Sequence, residues 1–212
     1  MVDTPTLWLY FLVVSGVILL PGMDMAFVMG SSMAGGHRAG LAAVAGIVSG
    51  GICHMLIAAS GISVLLKMMP AALMSMLVAG AAYIAWTGWT LLRATCIAAP
   101  QAGKGCATPL QSFGGAMATC LLNPKAYVFM LAIFPQFVHV SRGSVWRQAA
   151  ELSLITAAVQ IAVYGALAML VVQAQSALQD RPRANLWLAR AVGLVLILAA
   201  GLSLFSGFKN MD

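Results

Sequence analysis

Long apolar runs dominate the chain, and short polar stretches between them hold most of its charge. The runs poor in Asp, Glu, Lys and Arg number six, at roughly Thr6–Val28, Ala39–Leu66, Met68–Leu92, Phe113–Phe137, Ala149–Val172 and Leu186–Phe208. About 20 apolar residues in a helix cross the hydrocarbon core of a bilayer, so each run is long enough for one span. Ala, Leu, Val, Ile and Gly fill all of them, whereas a membrane barrel would show segments of about ten residues with alternating polarity. The pattern predicts an all-α integral membrane protein of six transmembrane helices.

The longest stretch between runs, Arg93 to Gln111, holds Pro100, Gly103, Lys104, Gly105 and Pro109. It separates a first three-span unit, residues 1–92, from a second, residues 113–212, with 93–112 as the connecting loop. The two units echo each other. Leu19-Leu20-Pro21-Gly22 aligns with Leu121-Leu122-Asn123-Pro124, and the same offset sets His37 over His139. An odd number of spans per unit forces the two into opposite orientations, so the expected plan is a pair of inverted three-helix repeats with broken first and fourth helices.

Composition agrees with lipid as the solvent. Eleven basic and five acidic residues among 212 fall far below the quarter or so of a soluble domain, and 62% of the chain is hydrophobic. The basic residues are scattered and form no patch for nucleic acid. Sorted by loop, Arg38, Arg93, Lys104, Arg181, Arg183 and Arg190 lie on one side, against Lys67, Arg142, Arg147 and Lys209 on the other. Six against four puts both termini outside by the positive-inside bias. The residues before the first apolar run carry no Lys or Arg, so that run is expected to remain as a span and not to act as a cleaved signal.

Two places carry candidate chemistry. Pro21-Gly22 interrupts the first span, with Asp24 just beyond it, and Asn123-Pro124-Lys125 interrupts the fourth, with Asn123 as a helix cap and Pro124 as the first residue of a new half-helix. Paired breaks free backbone N–H groups and expose helix dipoles, which suit a substrate carboxylate, and a charge at membrane depth costs about 2.5–3.5 kcal/mol unless it faces a partner or cavity. The substrate-binding candidates are therefore Pro21, Gly22, Asp24, Asn123, Pro124 and Lys125. Asp24 would receive an ammonium or a proton, while Lys125 would neutralise Asp24 or draw the carboxylate. In the plainer reading the two charges sit at the interface and pair.

His54 lies mid-span and shares a helical face with Gly46 and Gly50, so it should point inward as either a buried neutral imidazole or a protonation switch. Ser153, Thr156, Gln160 and Tyr164 form a polar stripe on the fifth span, as Tyr83, Thr87 and Thr90 do on the third. Such stripes serve interhelical hydrogen bonding or a transport path. His54, Gln160 and Tyr83 are the candidates for proton coupling or gating. Cys53, Cys96, Cys106 and Cys120 lack metal-ligand spacing; Cys53 and Cys120 read as apolar filler and Cys96 and Cys106 as loop thiols, with a Cys96–Cys106 bridge or metal clip as the minor alternative.

Several segments are similar to the LysE/RhtB family of amino-acid exporters: Pro21-Gly22-Met23-Asp24, Gly36-His37-Arg38-Ala39-Gly40-Leu41, Gly46-Ile47-Val48-Ser49-Gly50, Ala79-Gly80-Ala81-Ala82-Tyr83-Ile84, Leu121-Leu122-Asn123-Pro124-Lys125-Ala126 and Phe134-Pro135-Gln136-Phe137. The resemblance covers about four fifths of the chain and is weakest after Gln148. It implies a multi-pass secondary transporter of the bacterial inner membrane that exports small amino acids or their derivatives in exchange for protons, with no cofactor, no metal and no enzymatic activity. Its partners would be the amino-acid substrate and the lipid bilayer, and a homo-oligomer is compatible with it. Two departures stand out. Met23 replaces a second proline of the family's Pro-Gly-Pro, and Gly51 stands where many members carry Asp after Gly50, leaving His54 to compensate. The alternative is a metal or ion exporter of the same superfamily, with His37, His54, His139 and the cysteines as ligands, although no HxxxH pair is present. An intramembrane enzyme would have to rest on Asp24 with His54.

Overall fold

A computed structural model describes residues 2–20, 22–60, 70–93, 108–139, 141, 143–177 and 182–209. Within them the chain is helical, with no strand. The elements are α1 (Thr4–Leu19), α2 (Met23–Ala59), α3 (Pro70–Leu92), α4 (Pro109–Leu121), α5 (Pro124–Val128), a π-helical turn (Phe129–Ile133), α6 (Phe134–Phe137), α7 (Val145–Ala177) and α8 (Pro182–Lys209). Two of them, α2 and α7, are long and apolar enough to cross a membrane unaided, and Thr4–Leu19, Val78–Leu92 and Leu186–Leu202 are shorter apolar helices.

The α2 residues do not form one straight rod. At Gly36 the backbone takes φ 67 and ψ −161, a region open essentially to glycine alone. Along an unbroken helix Ser32 and Gly40 would lie about 12 Å apart. Instead a Cβ placed on Gly40 would collide with the Ser32 side chain, so the chain doubles back at Gly36. The reversal falls between the runs expected to end at Val28 and to begin at Ala39. At the other end of the connecting loop, α4 begins at Pro109, ahead of the expected Phe113. The reason is a capping box, in which Thr108 Oγ1 accepts from the Gln111 N–H while Gln111 Oε1 accepts from the Thr108 N–H.

Glycines set the closest packing. The Gly46 and Gly50 face of α2 lies against α4, where added Cβ atoms would strike the Phe113 carbonyl and Cys120. Gly88 of α3 and Gly193 of α8 likewise bring those helices into backbone contact. Helix α7 packs along α1 and α2, and Tyr10 ties α1 to the α5–α6 stretch through a tilted ring contact with Phe129 at 5.9 Å and an edge contact with Phe137 at 5.0 Å.

The outside is apolar. Leu12, Leu154, Leu170, Leu202 and Phe205 are all exposed, a surface that suits lipid and would aggregate in water. All five tryptophans are exposed as well, and Trp89 and Trp187 lie under the guanidinium groups of Arg93 and Arg190. Arg-backed tryptophans near helix ends are the anchors of a membrane interface.

Candidate functional site

Both expected helix breaks are present. Helix α1 stops at Leu19 with Leu20 extended, and α2 starts after Gly22. Helix α4 stops at Leu121, and Asn123 caps α5 by accepting the Lys125 N–H at 3.0 Å. A break leaves carbonyls without helical partners, and in lipid no water takes them up. At each break a side chain from the other half of the chain adds a hydrogen bond to the end carbonyls, although the Cys120 carbonyl also accepts the Asn123 N–H. The Lys125 ammonium donates to the carbonyls of Val17 and Leu20, at 3.2 and 2.9 Å, at the end of α1. His54 Nε2 bonds the Cys120 carbonyl at the end of α4, at 3.0 Å. The Gly36 reversal follows the same rule, since Gln175 of α7 donates to the Met33 carbonyl.

Lys125 thus sits on backbone carbonyls and makes no ion pair with Asp24. Gly22 makes room for it, because a Cβ there would come 3.1 Å from Nζ. Asp24 is buried in the first turn of α2 with Lys125, Asn123 and His54 as its polar surroundings. The Asn123 amide neighbours the carboxylate without closing a hydrogen bond, so Asp24 Oδ1 and Asn123 Nδ2 have no partner among the described residues. His54 shows the same half-use. A carbonyl can only accept, which makes Nε2 the N–H donor and leaves Nδ1 a bare acceptor with no partner among the described residues. The ring stands edge-on to Tyr127 at 4.8 Å.

Asp24, His54 and Lys125 border one cavity of about 50 Å³, room for a few waters. Asp24, His54, Lys125 and Gly51 line it together with Thr156, Gln160 and Tyr164 of α7. Val14, Val17 and Ile18 of α1 with Phe129 and Met130 of the π-helical turn give it an apolar wall. Thr156 also accepts the Tyr10 hydroxyl or donates to it, at 2.8 Å.

The structure thus brings Gly22, Asp24, Asn123, Lys125, His54 and Gln160 to one region. Pro21, Cys96 and Cys106 fall outside the described residues, as do the side chains of Tyr83, Thr87 and Pro124. His37 and His139 are exposed, and Cys53 and Cys120 are free thiols. The apolar wall carries no signal in the sequence, since Val, Ile and Met look alike in a core, a lipid face or a pocket. The π-helical turn, often found at functional sites, was equally silent.

Buried polar groups gathered where helices are interrupted, inside a bundle whose exterior is apolar, are the architecture of a membrane-embedded translocator. The chain belongs to the LysE type translocator family, whose model matches residues 15–207. It is 36% identical over 136 residues to an uncharacterized membrane protein of Pseudomonas aeruginosa, covering 62% of this chain and 63% of that one. It is 30% identical over 135 residues to a leucine efflux protein of Salmonella typhimurium, covering 63% and 64%, and 30% identical over 126 residues to one of Klebsiella pneumoniae, covering 59% of each. These matches span less than two thirds of the curated relatives. No solved structure matches the chain.

Proposed function

We propose that the protein is a secondary transporter of the bacterial inner membrane that exports small neutral amino acids in exchange for protons. In this reading the six apolar runs are six spans, arranged as two inverted three-helix repeats with both termini outside. Corresponding breaks at Leu20–Gly22 and Leu122–Asn123, each before a fresh helix start, support the repeat.

The observation that carries the proposal is the buried, half-unsatisfied carboxylate of Asp24, lining a cavity between two helix breaks. Oδ1 offers the substrate ammonium an acceptor that no described residue occupies. Lys125 and the broken helix ends attract the substrate carboxylate. One acid and one base balance a zwitterion, whereas a cationic side chain would need a second acid, and none lines the cavity among the described residues. Asp24 cannot hold an ammonium and a proton together, so it couples the two fluxes by competition, with His54 Nδ1 as the second proton acceptor. The leucine efflux proteins among its relatives support amino-acid export as the activity and an aliphatic side chain as tolerable cargo.

Radiolabelled counterflow in proteoliposomes tests the reading with leucine, threonine and homoserine beside lysine, arginine and divalent metal ions. Exchange of the neutral amino acids is expected. Preference for the basic pair, or transport of metal ions alone, would overturn it.

A further inference from the structure

Gln160 is a buried amide with its hydrogen-bonding capacity unspent. Its side chain lines the cavity, and neither its oxygen nor its nitrogen bonds a described residue, although Thr156 one turn earlier is bonded to Tyr10 and to the Leu152 carbonyl. An amide that lines a cavity and bonds no described residue keeps its donor and acceptor for what enters the cavity. Packed against it is Gly51 of α2. A Cβ there would stand 3.1 Å from Gln160 Oε1 and 3.2 Å from Nε2, so glycine is what leaves both ends of the amide open to the cavity.

We propose that Gln160 is the specificity-determining residue of the site, and that it reads the substrate side chain as a neutral group carrying its own donor and acceptor. This rests on the amino-acid export reading and deepens it. The charged ends of the zwitterion are met by Asp24 and Lys125, which leaves Gln160, a further lining residue of the same cavity, to the side chain. A carboxamide donates through Nε2 and accepts through Oε1, which fits a hydroxyl or a second amide and repels neither. An aliphatic side chain of equal size fits the Val14, Val17 and Ile18 wall but leaves the amide unpaired, and a polar site discriminates most strongly against the analogue lacking the polar atom. Gly51 and Gln160 act together, since a Cβ at Gly51 would make the amide give by a few tenths of an ångström.

Threonine and valine share a shape and differ by a hydroxyl, so their competition isolates this contact. In proteoliposomes the wild-type protein is expected to favour threonine over valine by about tenfold, one hydrogen bond's worth. Gln160→Leu should bring the ratio near one by raising valine and lowering threonine. Gly51→Ala should lower threonine exchange. A wild-type ratio near one, a preference unchanged in Gln160→Leu, or equal loss of both substrates in a monodisperse Gln160→Leu protein would each overturn the proposal while leaving amino-acid export standing. Absence of any amino-acid exchange by the wild type would overturn both.

Discussion

The Lys125 ammonium lies 2.9 Å from the Leu20 carbonyl, although 105 positions separate the two residues. Its counterpart runs the other way, from His54 to the Cys120 carbonyl, so each half of the chain finishes the interrupted helix of its opposite. The two basic groups most open to a transport role are therefore also structural. A substrate carboxylate that drew Lys125 away would uncap α1, which ties binding to movement at the first break.

Replacing Lys125 by Met should show the structural half of this role. Two carbonyls lose their donor, at about 1–3 kcal/mol for each group left unsatisfied, and the thermal midpoint in detergent should fall accordingly. Lys125→Gln keeps one donor, so it should insert and remain folded while losing export. Export at wild-type rate by inserted Lys125→Gln would remove the ammonium from the site.

Asp24→Asn keeps the shape and removes the charge. Counterflow should fall by about a hundredfold or more if a charge-assisted contact to the substrate ammonium is lost, at about 3 kcal/mol. Membrane insertion should hold or improve, because a buried charge is gone. Undiminished counterflow would end the case for Asp24 as the ammonium site.

Glycine-to-alanine substitutions should differ in sign by position. Gly36 has a backbone conformation that alanine rarely adopts, and Gly36→Ala should cost about 1–3 kcal/mol. Gly165, within α7, has nothing within 4 Å of an added Cβ, and Gly165→Ala should stabilise by about 0.5–1 kcal/mol. Unfolding midpoints of the two purified variants decide the matter.

A reporter fused after Asp212 tests the orientation expected from the loop charges. Alkaline phosphatase there should be active, and a green fluorescent protein dark. Bright fluorescence would place the C-terminus inside and invert the assignment.

What the sequence made legible was local. Pro21-Gly22 and Asn123-Pro124 announce their breaks because proline chemistry acts within one turn, and the Gly46–Gly50–His54 face follows from helical period alone. The partners were hidden. Nothing near Lys125 points to Leu20, and nothing near Gln148 shows that it bonds both backbone groups of His139, since such contacts join residues only after the helices have packed. Gly51 illustrates a different blindness. Against its family it reads as an acid gone missing, whereas beside Gln160 it is room for an amide.

The reciprocal capping also bears on how the protein is made. When translation has delivered only the first half into the membrane, the Val17 and Leu20 carbonyls await a lysine not yet synthesised, and His54 has no Cys120 to meet. The nascent half is thus polar at its break until its sequel arrives. The two halves, expressed as separate polypeptides, should each be short-lived alone and rescue one another when made together.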